Sequence, residues 1–268
     1  MDAGAGQGVR VGMVDTRMPR AVIDALGDIT VDVVPDVQPM KYKPMKYRAG
    51  HSTFVADLIR RRAPNASLYL AGALDDDGRA NSWATARAMM RLAEEKQIDI
   101  LNLSLGCYAA TGPPFVLARA IERLTPRVLV VAAAGNHGEF VHWERGRTRE
   151  SANWPAALTE VVAVGADSGR GSGSASFSPR LPWVRFTALG VDVVGRYLEG
   201  SVDVKGTTQE FHGYATWSGT SFAAATVSGA IAARCRPGSV PTVQGLAPLL
   251  DGSAVVRPYE GGLIARAR

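Results

Sequence analysis

Arg127-Val128-Leu129-Val130-Val131-Ala132-Ala133-Ala134-Gly135-Asn136 has no polar side chain between its two ends. A strand with one wet face alternates apolar and polar residues. An unbroken run of this kind reads as a strand covered on both faces, the condition of a parallel sheet packed between helices. The chain upstream has the matching pattern. Strands are predicted at 9–14, 30–34, 67–71 and 98–106. Helices are predicted at 21–26, from His51 to about residue 60 (with Phe54, Val55, Leu58 and Ile59 at helical spacing), at 81–96 with Trp83, Ala84, Ala88, Met89 and Leu92 inward, and at 114–124. Downstream come strands at 161–166, 184–188 and 191–194, flexible turns at 171–174, and a Gly- and Thr-rich hairpin region up to Trp217. Ser218-Gly219-Thr220-Ser221 then opens an Ala-rich helix that ends near Arg236, before Pro237-Gly238. Strands alternating with helices over this length predict an α/β fold in three layers, a doubly wound, mostly parallel sheet with helices on both faces, and residues 1–268 read as a single domain.

Composition narrows the function classes. The 268 residues are 46% hydrophobic and 21% charged, enough for a large core. A net charge of +5 arises from 30 basic and 25 acidic residues that are interspersed, which reads as a solvated surface and not a nucleic-acid partner. The rival, a basic nucleic-acid-binding domain, would use residues 41–48 together with Arg145, Arg147 and Arg149, and would bind in a salt-dependent way. Residues 1–20 hold no apolar stretch of signal-peptide length, and the longest apolar run, 128–134, is too short to span a bilayer. These features predict a cytoplasmic protein with no membrane partner, or a secreted one if a leader has been removed. Cys107 and Cys235 are too few for a disulfide scaffold and read as free thiols. Asp75-Asp76-Asp77-Gly78-Arg79 lacks the ligand spacing of a calcium loop, so neither metal nor cofactor is expected. Pro39-Met40-Lys41-Tyr42-Lys43 is nearly repeated as Pro44-Met45-Lys46-Tyr47-Arg48 and reads as a basic, aromatic loop, either plainly exposed or partner-binding. Oligomeric state is left open.

Four polar residues fall where a doubly wound sheet gathers its chemistry. Asp15 ends the first strand and Asn136 the central one, and in such sheets the carboxyl edge faces the functional crevice. His51 stands at a loop-to-helix junction. Ser221 lies at the mouth of the Ala-rich helix, where unpaired amides favour negative charge. Each also has a plain reading: Asn136 as a turn cap, His51 as a solvated side chain, Ser218 or Ser221 as an N-cap. Taken together, they supply a nucleophile, a base, an orienting carboxylate and an oxyanion donor, in the order Asp, His, Ser.

On these residues the chain resembles the subtilisin-like serine proteases, the subtilase family. Val14-Asp15-Thr16 is similar to the aspartate motif, His51-Ser52-Thr53-Phe54-Val55-Ala56 to the histidine motif, and Gly219-Thr220-Ser221-Phe222-Ala223 to the nucleophile motif. Leu103-Ser104-Leu105-Gly106 resembles the substrate-binding strand, Ala133-Ala134-Gly135-Asn136 the oxyanion segment, and Gly261-Gly262-Leu263-Ile264-Ala265-Arg266-Ala267 the last strand. The resemblance implies a serine endopeptidase with Ser221 as nucleophile, His51 as base, Asp15 as its orienting partner and Asn136 on the oxyanion. It implies a peptide or protein substrate held between Ser104, Leu105 and Gly106 on one side and Gly78, Arg79 and Ala80 on the other. Ala133, Ala134 and Gly135 would wall the primary pocket, Asn153 would lie near its floor, and Asp75, Asp76 and Asp77 near the cleft would favour basic substrates. The implied role is intracellular processing; a peptide ligase or transpeptidase, and a catalytically idle binding protein, stand as alternatives. Three departures from the family pattern are Ser52 for glycine, Ala225 for the proline expected in the first turn of the nucleophile helix, and a stretch at 60–66 too short for a calcium-binding loop.

Overall fold

The computed structural model describes residues 4–18, 23, 29–32, 44–142, 146–169, 173–239, 241–253 and 255–259. In chain order the strands are β1 (Arg10–Thr16), β2 (Ile29–Asp32), β3 (Met45–Lys46), β4 (Ser67–Leu74), β5 (Ile100–Leu103), β6 (Leu129–Ala133), β7 (Val162–Asp167), β8 (Phe186–Leu189), β9 (Val193–Val204), β10 (Thr207–Trp217) and β11 (Val256–Pro258). The helices are α1 (His51–Arg62), α2 (Ser82–Lys96), α3 (Phe115–Leu124), α4 (Thr220–Ala232) and α5 (Leu246–Leu250). Eight strands form one sheet in the order β11-β8-β7-β6-β5-β1-β4-β2, and only the β11–β8 pairing is antiparallel. The remaining three form a second sheet, β10-β9-β3.

Successive side chains of the central strands enter opposite cores, as a strand buried on both faces requires. Leu129, Val131 and Ala133 of β6 join one core with α1 and α4. Val130 and Ala132 join the other with α2 and α3. The sheet reverses direction of growth at β1, which has β4 on one side and β5 on the other. Register pairs Met13 with Asn102, and Leu103 with Ala132. Two residues past the first pairing stand Asp15 and Ser104, so both reach the carboxyl edge at the level of Ala133.

Several expectations need correction. Trp83 is 63% exposed and not inward, because the stripe of α2 that packs on the sheet is Thr85, Ala86, Ala88, Met89 and Leu92. The short strand expected at 191–194 continues to Val204 and folds back through Lys205 and Gly206, both at positive φ, the signature of a two-residue hairpin turn. The second copy of the repeated pentad is not a free loop: Met45 and Lys46 pair with Val202 and Asp203. The first copy, nearly all of the 21–26 helix and the 261–267 strand lie outside the described residues.

Helix α4 is buried at every residue except Ser221. Its crossing with α1 depends on Gly229, where a Cβ would come within 2.7 Å of the Ile59 carbonyl oxygen and 2.8 Å of Arg62 Cβ. Alanine is the better helix former by up to ~1 kcal/mol, but here its methyl meets backbone that cannot swing away. Gly229→Ala is expected to destabilise the fold by about 1–3 kcal/mol, the usual cost of overpacking, as a lowered midpoint in chemical denaturation; an unchanged or raised midpoint would show that the helices part freely.

Candidate active site

Asp15 is 1% exposed at the end of β1. One carboxylate oxygen accepts the Thr16 N–H at 2.7 Å, and both oxygens face His51 Nδ1, at 2.7 and 3.0 Å. A carboxylate can only accept, so Nδ1 carries the proton and Nε2 is the free acceptor. The loop leaving β1 is tied to the first turn of α1 by two further bonds. Thr16 Oγ1 accepts the Ser52 N–H at 3.1 Å, and the Ser52 hydroxyl donates to the Arg17 carbonyl at 3.3 Å. Serine in place of the family's glycine therefore adds a fastening beside the histidine. Gly50 leaves room for Tyr197, whose ring atoms would lie 2.3 and 2.6 Å from a Cβ there.

The imidazole rests on aromatic rings. Trp217 meets it edge-on at 5.6 Å between centroids and Phe222 at 5.7 Å, and Phe54 packs on Phe222 at 4.4 Å. Nothing in the spacing of these residues marks them as one cluster. Trp217 ends the long hairpin and Phe222 follows the serine, so the ring contacts join α1 to the 217–222 stretch.

Ser221 is the second residue of α4. Gly219, the N-cap, has extended backbone and no side-chain cap. Ser218 accepts the Asp192 N–H at 2.9 Å, so neither serine serves as the helix cap. The Ser221 hydroxyl donates to the Ser104 carbonyl at 3.1 Å, and the Ser104 hydroxyl donates back to the Ser221 carbonyl at 2.8 Å. Among the described residues no hydrogen bond joins Ser221 Oγ to His51 in this resting arrangement. Ala225 lies in the second turn of α4, beyond the four amides that lack helical partners. The expectation that placed it in the first turn is thereby corrected.

Asn136 is exposed just beyond β6, and its Oδ1 accepts from the Thr220 N–H at 3.0 Å and from the Thr220 hydroxyl at 3.1 Å. A backbone N–H is an obligatory donor, which fixes the amide's orientation and leaves Nδ2 as a donor. Nδ2 lies 3.5 Å from the Cβ position of Gly219, beside the helix mouth. Thr220, within the Ser-Gly-Thr-Ser turn but given no role from sequence, thus orients the Asn136 amide.

The residues expected to hold substrate converge as well. Gly78, Arg79, Ala80, Leu105 and Gly106 line one cleft of about 230 Å³ with Cys107 and Trp154. Cys107 and Trp154 exchange backbone bonds at 2.8 and 2.9 Å, which draws Asn153 across the gap between the two walls. Its Nδ2 donates to the Ala133 carbonyl at 2.9 Å, and its amide atoms lie 2.3–2.7 Å from the Cβ position of Gly106. Ala134 is fully buried, and Gly135, at φ 101°, backs onto His137 and the Tyr108 hydroxyl, each 2.8 Å from its Cβ position. The carboxylates of the acidic turn already have partners within the fold. Asp75 accepts the Asp77 and Arg79 amides, Asp76 faces Arg17 at 3.4 Å, and Asp77 faces Lys46 at 2.6 Å. The hydrogen bond from Lys46 holds the Asp77 carboxyl below the usual range.

A model of the subtilase family matches residues 6–235. The major intracellular serine protease of Bacillus subtilis (strain 168) is 32% identical over 196 residues, 68% of this chain and 54% of that protein. The intracellular serine protease of Paenibacillus polymyxa is 29% identical over 244 residues, 85% of this chain and 66% of that protein. The chain thus spans between half and two thirds of the length of these relatives. Among solved structures, an S218A mutant of the protease domain of PatA is similar at a TM-score of 0.64 and 25% identity, covering 87% of this chain and 81% of that one.

A second histidine supports the pocket from behind. His137 is fully buried; Nε2 donates to the Ser151 carbonyl at 2.9 Å, and Nδ1 accepts from Tyr108 at 3.0 Å. Arg147 stacks 3.8 Å over the Tyr108 ring. Burial is the main cause that pushes the imidazole below its ordinary value of 6.5; the Ser151 bond opposes this and the nearby Arg147 charge adds to it. The unfolded chain therefore binds this proton at a higher pH than the folded one, so the stability His137 contributes is lost as pH falls below about 6.5. Thermal midpoints measured from about pH 7 to about pH 5 are expected to fall more steeply in the wild type than in His137→Gln; parallel curves would refute the assignment.

Proposed function

The chain belongs to the subtilase family, and from that premise we propose that it is a serine endopeptidase that cleaves peptide bonds through an ester formed on Ser221. The observation that carries this reading is the His51 imidazole, whose Nδ1 lies 2.7 and 3.0 Å from the Asp15 oxygens, leaving Nε2 as the base at the sheet edge where Ser221 emerges. As Ser221 Oγ attacks the substrate carbonyl carbon, its proton passes to Nε2, and Asp15 stabilises the imidazolium without taking the proton. Asn136 Nδ2 and the Ser221 N–H donate to the oxyanion. Collapse expels the amine with the proton from His51, and water repeats the sequence on the ester to release the acid and restore the serine.

The substrate is an extended peptide or protein segment lying between Ser104, Leu105 and Gly106 and the facing Gly78, Arg79 and Ala80. Main-chain pairing of that kind leaves selectivity to the side-chain pockets. Asn153, spanning the space between Gly106 and Ala133, makes the primary pocket short, suited to a small side chain on the residue whose carbonyl is attacked. Two relatives bear the name intracellular serine protease, which supports action inside the cell. Among the described residues no helix is long and apolar enough to cross a membrane. We read residues 1–268 as one peptidase domain, supported by two cores that share a single sheet.

A fluorophosphonate is expected to label the wild type at Ser221 and leave Ser221→Ala unlabelled and inactive; peptide cleavage that survives Ser221→Ala would reject the mechanism. Asn136→Ala is expected to lower turnover by about 10²–10³, the loss seen when the oxyanion asparagine of a subtilisin is removed. In a peptide library Asn153→Gly is expected to move the preference from small side chains to larger apolar ones, and an unaltered profile would count against the short pocket.

A further inference from the structure

The Ser221 hydroxyl has one proton to give, and on the endopeptidase reading two acceptors compete for it: the Ser104 carbonyl, which holds it here, and His51 Nε2. In the structure it donates to the carbonyl of Ser104 and not to His51. Ser104 stands just past the last paired residue of β5, so its carbonyl is outside the ladder that joins Leu103 to Ala132. It is also the first carbonyl of the segment that an extended substrate would pair with.

Ser104 is held from behind by a chain of buried side chains. Its hydroxyl donates to the Ser221 carbonyl at 2.8 Å and accepts from Asn102 Nδ2 at 3.0 Å. Asn102 Oδ1 in turn accepts from the Ser228 hydroxyl at 3.0 Å. Asn102 and Ser228 are fully buried and Ser104 is 5% exposed. Ser228 lies seven residues, two turns, beyond Ser221 on the same face of α4. The helix thus grips the end of β5 twice, at Ser228 through Asn102 and at Ser221 directly. Buried polar groups linked in this way hold one geometry, since each bond broken strands a partner away from water.

We propose that Ser104 latches the nucleophile: its carbonyl holds the Ser221 hydroxyl away from His51 until a substrate backbone N–H takes that carbonyl and turns the hydroxyl onto Nε2. Asn102 and Ser228 are positioning residues that act through Ser104. The exchange conserves hydrogen bonds. The substrate N–H replaces Ser221 O–H on the Ser104 oxygen, and the hydroxyl, by rotation about its Cα–Cβ bond, gains His51 Nε2. No covalent bond changes until the substrate carbonyl is in place. The latch rests on the endopeptidase reading given above and adds to it a dependence of the nucleophile on the ligand it attacks.

Two measurements on the full chain test it. Diisopropyl fluorophosphate carries no N–H and cannot take the Ser104 carbonyl, so it reads the resting hydroxyl. Ser228→Ala loosens Ser104, and the ratio of fluorophosphate labelling rate to peptide kcat is expected to rise at least about threefold, the order of one net hydrogen bond. Ser228→Thr, which keeps the hydroxyl, is expected to restore the wild-type ratio. A parallel fall of both rates would make Ser228 merely structural and overturn the latch. On the wild type, a peptide whose N–H to Ser104 is replaced by an ester oxygen is expected to lose about tenfold in kcat with little change in KM. A rise in KM with kcat unchanged would mean simple docking and would overturn the latch. A wild type that is not labelled at all would instead refute the endopeptidase reading itself.

Discussion

Burial of one helix on every side is the constraint on which the site depends. With all but one residue of α4 inside the core, the helix cannot slide or roll without pulling apart layers packed at interior density. Its single outward residue is therefore fixed in space by contacts that Ser221 does not itself make. A nucleophile at a helix mouth also gains unpaired amides and the positive end of the helix dipole without any further device.

The histidine is located by a different means. It opens α1 with no helix cap, and its orientation comes from the buried carboxylate at the end of β1 and from the rings of Trp217 and Phe222. The rings pack against the imidazole while the carboxylate sets its tautomer, which leaves Nε2 as the acceptor. The hairpin that delivers Trp217 is itself pinned to α1. Asp57 accepts the Arg196 N–H at 2.9 Å, and Arg61, paired with Asp57, donates to the Val194 carbonyl at 2.9 Å. His51 and Ser221 thus sit on two helices that touch each other at Gly229 and share one aromatic wedge.

Several charged side chains near the cleft also serve the fold. The acidic turn at 75–79 uses its three carboxylates on backbone amides, Arg17 and Lys46, so it braces Gly78 and Arg79 beside the cleft. The cation of Arg147 is likewise spent on an aromatic face beside the pocket. Asn153 sets the shape of the space between Gly106 and Ala133.

The sequence alone determined the layered parallel sheet and the four polar residues at its carboxyl edge, because both are written in local chemistry: unbroken apolar runs, strand ends, and a small-residue turn entering a helix. Element ends moved by a few residues where pairing, not propensity, decides them, as when β9 ran on to Val204. Only the tertiary structure decided that Thr220 orients Asn136, that Asn153 spans the space between Gly106 and Ala133, that His137 and Tyr108 back Gly135, and that Ser104, bonded to Asn102 and through it to Ser228, accepts the Ser221 hydroxyl. These are contacts between residues as far as 126 positions apart, made by side chains with no periodicity of their own. Their partners exist only once the sheet has set the register that brings Asp15, Ser104 and Asn136 to one edge.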